Sequence, residues 1–206
     1  MKSIFYKLPD EKREKIVRAC LAEFGARDYE KAALDRIVEA AGISKGGLYE
    51  YISSKEELYL FIVELSYSRL YEFLRARLER SGAILPEELL DRFAVVARLA
   101  FDFYLEHPEM VGIIVKTGHI DDAALAGKAD EIFDRHFSGI FASAGTEGLA
   151  FPKERVVGLL KWILVKTRND FLKELAAGSD GRALLASFTE EWDFLLGALR
   201  RGVYSK

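Results

Sequence analysis

Residues 32–58, AALDRIVEAAGISKGGLYEYISSKEEL, constrain this chain more than any other stretch. Leu34, Ile37, Val38 and Ala41 recur at helical spacing and predict a first helix of about two turns. Gly42 ends it, because glycine reaches the left-handed conformation that closes a helix without a Cβ clash. Ile43 fills the corner, and Ser44 can cap a second helix by accepting an amide hydrogen bond at its start. Leu48 and Ile52 give that second helix a buried side. Lys45, Gly46, Gly47, Tyr49 and Glu50 form its other side. Two helices joined by a short turn containing glycine are a helix-turn-helix, whose second helix fits the major groove of DNA.

The rest of the chain reads as helices. Half of the 206 residues are hydrophobic, which allows a substantial core, and only four prolines interrupt them. A helix is predicted over residues 10–26, with Ile16, Val17, Cys20, Leu21 and Phe24 as its buried stripe. Ser54 followed by Glu57 is a capping box that launches a long helix over 55–80, able to carry movement from the head into the body. Residues 86–106 are apolar almost all round, the mark of a helix at the centre of a bundle. Further helices are predicted over 108–117, 123–144, 153–177 and 182–202, separated by turns at 118–122, 145–152 and 178–181.

Cys20 lies among apolar neighbours and reads as a small core residue. A single cysteine leaves no disulfide within the chain, which fits a reducing compartment. The opening MKSIFYKLPDEKREK lacks the apolar run of a secretory signal, and no stretch approaches the ~20 apolar residues of a membrane span. A cytoplasmic protein without a membrane partner is expected.

From about residue 12 to residue 58 the chain resembles the DNA-binding domain of the tetracycline-repressor (TetR) family of bacterial transcription regulators. Phe24-Gly25, Tyr29, Leu34-Asp35-Arg36-Ile37, the run from Ala40 through Tyr49, Tyr51 and Lys55-Glu56-Glu57-Leu58 carry the resemblance. Three positions depart from the family's pattern. Ala33 stands where a capping threonine or serine is usual, and losing such a cap costs about 0.5–2 kcal/mol. Tyr51 replaces a frequent histidine, and Ile52 replaces an aromatic residue.

The resemblance implies an all-α protein. An N-terminal three-helix helix-turn-helix domain (1–54) is followed by a helical ligand-binding and dimerisation bundle (55–206). It also implies a homodimer whose last two helices meet those of the partner. Gly158 and Gly197 lie inside those helices, at a cost of about 0.5–1 kcal/mol each relative to alanine, which either close approach of a partner or intramolecular packing would explain. Gly158, Phe171, Trp192, Leu195, Leu196 and Leu199 are the expected interface residues, with Trp162 adding apolar area.

Expected DNA contacts separate by chemistry. Lys45 and Lys55 would clamp phosphates, joined by Arg36 and by the Ser44 cap. Tyr49 and Tyr51 can offer hydroxyls to phosphates or stack on sugars and thymine methyls, while Gly46 and Gly47 allow close approach to base edges. Glu50 either accepts from a cytosine amino group or stays solvated. The formal net charge is −3, and residues 1–58 balance 11 Lys and Arg against 11 Asp and Glu, so the head is neutral. That lowers non-specific affinity without excluding specific binding by a dimer.

A small, largely apolar ligand is expected between the body helices. Tyr67, Tyr71, Phe101, Tyr104, Ile114, His119, Phe137 and Trp162 are candidate walls, although aromatic residues at helical spacing equally form plain core. Arg168 and Asn169 are further polar groups able to orient a ligand. No nucleophile elbow, phosphate-cradling loop or dinucleotide fingerprint appears, and His107, His119 and His136 lack partners at metal-ligand spacing. Hence no enzyme, metal or cofactor is expected. The reading is a ligand-responsive repressor on an inverted-repeat operator. Its rivals are a helical adaptor that has lost DNA recognition, motivated by Ala33 and Glu50, and a small-molecule enzyme.

Overall fold

The structure, a computed structural model, describes residues 1–204. The described residues form nine α-helices: α1 (Asp10–Ala26), α2 (Leu34–Ala41), α3 (Lys45–Tyr51), α4 (Lys55–Ser81), α5 (Leu89–Glu106), α6 (Pro108–Lys116), α7 (Ala123–Phe141), α8 (Lys153–Ala176) and α9 (Gly181–Val203). Short 3-10 turns at Ser3–Lys7, Tyr29–Lys31 and Thr117–His119 supplement them. Leu149 and Tyr204 make an isolated β-bridge, and the described residues contain no strand. The fold is all-α, as the apolar periodicities predict. No helix among the described residues is long and apolar enough to cross a membrane.

Two compact units make up the chain. One comprises Met1–Arg69 with His107–Asp134, and the other Leu70–Glu106 with the chain from Arg135 onward. The compact units are discontinuous in sequence: α6 and the first part of α7 join the N-terminal helices.

In the first unit, α1 packs against both α2 and α6. Ile16, Cys20, Phe24, Ile37, Leu48, Ile52, Leu58 and Ile62 are buried there, and Phe24 meets Tyr59 edge-on at 5.2 Å. Burial pushes the Cys20 thiol up to about 12, so it stays a neutral core group. Ion pairs tie the later segments to the head: Lys116 to Asp28 at 2.8 Å and Lys128 to Glu56 at 2.5 Å. Lys116 and Lys31 together hold the Asp28 carboxyl down at about 2.

In the second unit, α5 packs on α8 and α9. Phe101 is the hub of that contact, with ring centroids 4.4 Å from Phe171 and 4.6 Å from Trp192. The Trp192 indole N–H donates to Thr167 Oγ1 at 3.2 Å, satisfying a polar group that burial would otherwise strand.

Two helix ends differ from the sequence expectation by three residues, the others by one at most. α5 starts at Leu89 rather than 86, because the Glu88 carboxylate accepts the Leu90 and Asp91 amides and so caps the helix. α7 stops at Phe141 rather than 144, where Arg92 and Lys153 draw off its last carbonyls. Arg92 donates to Ile140 O and Ser143 Oγ, and Lys153 to the carbonyls of Ala142 and Ala144.

Candidate nucleic-acid interface

The helix-turn-helix is built by local chemistry at its corner and by distant chemistry at its start. Ala33 precedes α2 and offers no capping side chain. Glu23 of α1 supplies the missing acceptor. One of its carboxylate oxygens takes the Ala33 amide at 2.8 Å and Arg36 Nε at 2.8 Å, and the other takes Arg27 at 2.8 Å. Glu23 is buried, and the Arg36 hydrogen bond, followed by the Ala33 amide and Arg27, holds its carboxyl below the ordinary range.

At the other end of α2, Gly42 adopts φ 67° and ψ 35°, and its amide and that of Ile43 return to the helix carbonyls of Glu39 and Val38. Ser44 then caps α3, its Oγ accepting the Gly47 amide at 3.0 Å. A Cβ on Gly47 would stand 3.1 Å from that oxygen, so glycine here leaves room for the cap. Leu48 and Ile52 are fully buried and anchor α3 to the head.

This arrangement leaves Lys45, Gly46, Tyr49 and Glu50 exposed along one side of α3. Tyr49 is 43 % exposed, which excludes a core role for it within the chain. Gly46 has open space in front of it. The other expected contacts are placed differently. Tyr51 is buried against Phe5, with ring centroids 6.2 Å apart. Arg36 is turned toward Glu23 and the Lys31 carbonyl. Lys55 lies over the Tyr29 ring at 4.4 Å, and burial lowers its pKa. Lys45 pairs with Asp35 at 2.8 Å, an exposed pair of the kind that a phosphate can displace.

The expected ligand walls are distributed between the units. Tyr67, Ile114 and His119 belong to the first; Tyr71, Phe101, Tyr104, Phe137 and Trp162 belong to the second. Tyr67 stacks on Phe133 at 5.3 Å, while His119 is exposed. Within the second unit a cavity of about 150 Å³ is lined by Tyr71, Leu74, Arg75, Leu78, Val96, Leu99 and Ser143 among others. Phe101, Tyr104 and Phe137 are buried, and Trp162 is 67 % exposed on α8.

Placement of the expected dimer residues follows from which face each helix turns inward. Phe171, Trp192 and Leu196 are buried within the chain's own core, so they cannot supply an exposed face, and Leu195 and Leu199 are half-buried. Trp162 and Phe194, with Leu159, are the large apolar side chains that α8 and α9 leave exposed. A Cβ added at Gly158 or Gly197 would meet nothing within 4 Å, which removes the intramolecular explanation for these glycines.

Two further contributors had escaped sequence reasoning, Glu23 and the N-terminal turn around Phe5. Their partners lie 10 and 46 residues away in sequence (Ala33 and Tyr51), beyond the reach of helical periodicity.

Residues 16–61 match the profile of the bacterial regulatory proteins of the tetR family. The chain is 27 % identical over 133 residues to the HTH-type transcriptional activator FasR of Mycolicibacterium smegmatis, covering 61 % of this chain and 58 % of that one. It is 25 % identical over 103 residues to the uncharacterised HTH-type regulator YdgC of Bacillus subtilis, covering 50 % of this chain and 52 % of the relative. The head of the chain, residues 16–61, is a DNA-binding domain of the tetR family. Thus the matches span little more than half the length of these relatives. A TetR family regulator from Chloroflexus aurantiacus shares the fold with a TM-score of 0.68 at 20 % identity, covering 100 % of this chain and 99 % of that one. FadR of Bacillus subtilis, solved in complex with stearoyl-CoA, shares it with a TM-score of 0.67 at 14 % identity, covering 87 % and 96 %. The matched residues take in the helix-turn-helix of α2 and α3, which is the DNA-binding element of tetR-family regulators.

Proposed function

We propose that this chain is a transcriptional regulator, a cytoplasmic, ligand-responsive repressor that binds an inverted-repeat operator as a homodimer. The observation that carries the reading is the exposed side of α3. Lys45, Gly46 and Tyr49 are presented by a capped helix whose opposite side, Leu48 and Ile52, is locked in the core. Lys45 would reach a phosphate by exchanging Asp35 for it, and the exposed ring of Tyr49 can stack on a sugar or a thymine methyl.

A second copy of the chain is the partner for α8 and α9. Trp162 is 67 % and Phe194 71 % exposed, and the open space over Gly158 and Gly197 admits another helix. Two heads related by a two-fold axis would enter successive major grooves about 34–36 Å apart, which requires an inverted repeat. The ligand-responsive part of the reading draws on FadR of Bacillus subtilis, which shares the fold and was solved in complex with stearoyl-CoA; the cavity beside Tyr71, at about 150 Å³, has room for only a small group. α4 and α7 each contribute residues to both units, so a ligand in the second unit has two helices through which to act on the first. It does so only if it binds the two head spacings with different affinity. A second reading, activation, is favoured by the name of the mycobacterial relative.

The test is selection of binding sequences from a random duplex pool at fixed salt, followed by transcription from a promoter that carries the enriched site. An enriched inverted repeat whose occupation lowers transcription supports the repressor. Raised transcription transfers the reading to an activator, and no enrichment from folded, dimeric protein contradicts DNA recognition altogether.

A further inference from the structure

The last four carbonyls of any α-helix lack intrahelical partners, and in α3 these are the carbonyls of Leu48, Tyr49, Glu50 and Tyr51. The Ile52 amide takes that of Leu48 at 3.2 Å. Two of the others meet a single residue near the start of the sequence. Lys2 Nζ donates to the Tyr49 carbonyl at 2.8 Å, and the Lys2 amide donates to the Tyr51 carbonyl at 2.8 Å. A cation at this end of a helix also opposes the negative pole of its dipole.

Lys2 does not reach α3 by chance of a loose tail. Its own carbonyl accepts the Phe5 amide at 3.0 Å and opens the turn Ser3–Lys7. Phe5 is fully buried, its ring 5.4 Å from Phe61 and 6.2 Å from Tyr51. Lys12 of α1 lies over the same Tyr51 ring, 5.8 Å from its centroid. The segment is thereby pinned to the side of α3 that carries Tyr51, leaving Tyr49 exposed. A helix of seven residues has no stability of its own, so its direction depends on such contacts.

We propose that Lys2 is a positioning residue for DNA recognition. It fixes the C-terminal turn of α3 and with it the direction of Tyr49, while making no phosphate contact itself. This inference rests on the function proposed above, and it places the segment before α1 inside the DNA-reading element.

The test compares the full wild-type chain with Lys2→Met and Lys2→Arg. Methionine keeps the main-chain bond to Tyr51 and removes only the ammonium bond to Tyr49. Two readouts are needed: amide hydrogen exchange along α3, and the ratio of affinities for the selected inverted repeat and a scrambled duplex across a salt series. In Lys2→Met, exchange at the amides of residues 48–52 is expected to quicken by about five- to tenfold while the rest of the head stays protected. The affinity ratio is expected to fall by a similar factor with an unchanged salt slope, and Lys2→Arg should restore both. An unchanged exchange rate, or an unchanged ratio in a wild type that discriminates, overturns the positioning role. A salt slope reduced by about one, with equal loss on both duplexes, would make Lys2 a phosphate contact and overturn it too. A wild type that discriminates no duplex contradicts the proposed function, and takes this role of Lys2 with it.

Discussion

The backbones of Gly112 and Gly25 lie in direct contact: a Cβ on Gly112 would stand 2.5 Å from the Gly25 carbonyl oxygen and 2.8 Å from its Cα. The atoms in the way are main chain, so they cannot rotate aside. This pair lets α6 settle on α1, and no larger residue at 112 preserves the spacing. Gly112→Ala should destabilise the protein by roughly 1–3 kcal/mol through overpacking. Gly25→Ala, whose Cβ would be 3.4 Å from the Glu109 carbonyl, should cost less. Thermal unfolding of the two variants checks the order.

Glu23→Gln should loosen the start of α2. It removes the charge that holds Arg36 and Arg27 and weakens the bond to the Ala33 amide, for a loss of roughly 1–3 kcal/mol. The pH dependence has a definite sign. The folded carboxyl lies below its unfolded value, so its contribution is complete above the ordinary glutamate pKa of about 4.3 and disappears as pH falls through the folded value. The gap in melting temperature between wild type and Glu23→Gln should therefore be full at neutral pH and shrink in acid. A gap that widens in acid would contradict the assignment.

Asp35→Asn should raise affinity for duplex DNA of any sequence. Lys45 is then freed from its carboxylate partner, and a negative charge leaves the surface beside it that is proposed to meet DNA. Both groups are exposed, so the gain should be no more than about fivefold and should fade as salt rises. Filter binding across a salt series measures it.

The helices α8 and α9 predict two opposite phenotypes. Trp162→Arg or Phe194→Glu should leave the chain folded and convert a dimer to a monomer, read by sedimentation. Trp192→Ala should instead destabilise the chain by roughly 3–5 kcal/mol, because it empties a buried site beside Phe101 and leaves Thr167 without the indole donor. A stable, monomeric Trp192→Ala would contradict this division of the two faces.

The contrast between Trp162 and Trp192 also marks what helical periodicity reveals. The helix-turn-helix was legible because its determinants are local: Gly42 stops one helix, Ser44 caps the next, and Leu48 and Ile52 share a face within one turn. Periodicity likewise located the long helices. In α8 and α9, however, apolar residues occupy more than one face, and spacing does not say which face meets the chain's own core. Trp192 and Phe171 proved internal and Trp162 external for that reason. Glu23 standing in for a cap at Ala33, and Lys2 closing α3, join residues distant in sequence whose polar character alone gives no sign of pairing. The discontinuous units have the same cause, since the packing of α6 on α1 depends on two glycines that leave no trace in an apolar pattern.

The most direct test of the central claim is titration of the enriched duplex with wild type and with Tyr49→Ala, alongside sedimentation of both proteins. The account predicts saturation at two wild-type protomers per inverted repeat, and loss of binding in a Tyr49→Ala variant that remains folded and dimeric. Tyr49→Ala binding the duplex as tightly as wild type would show that the exposed side of α3 does not read DNA.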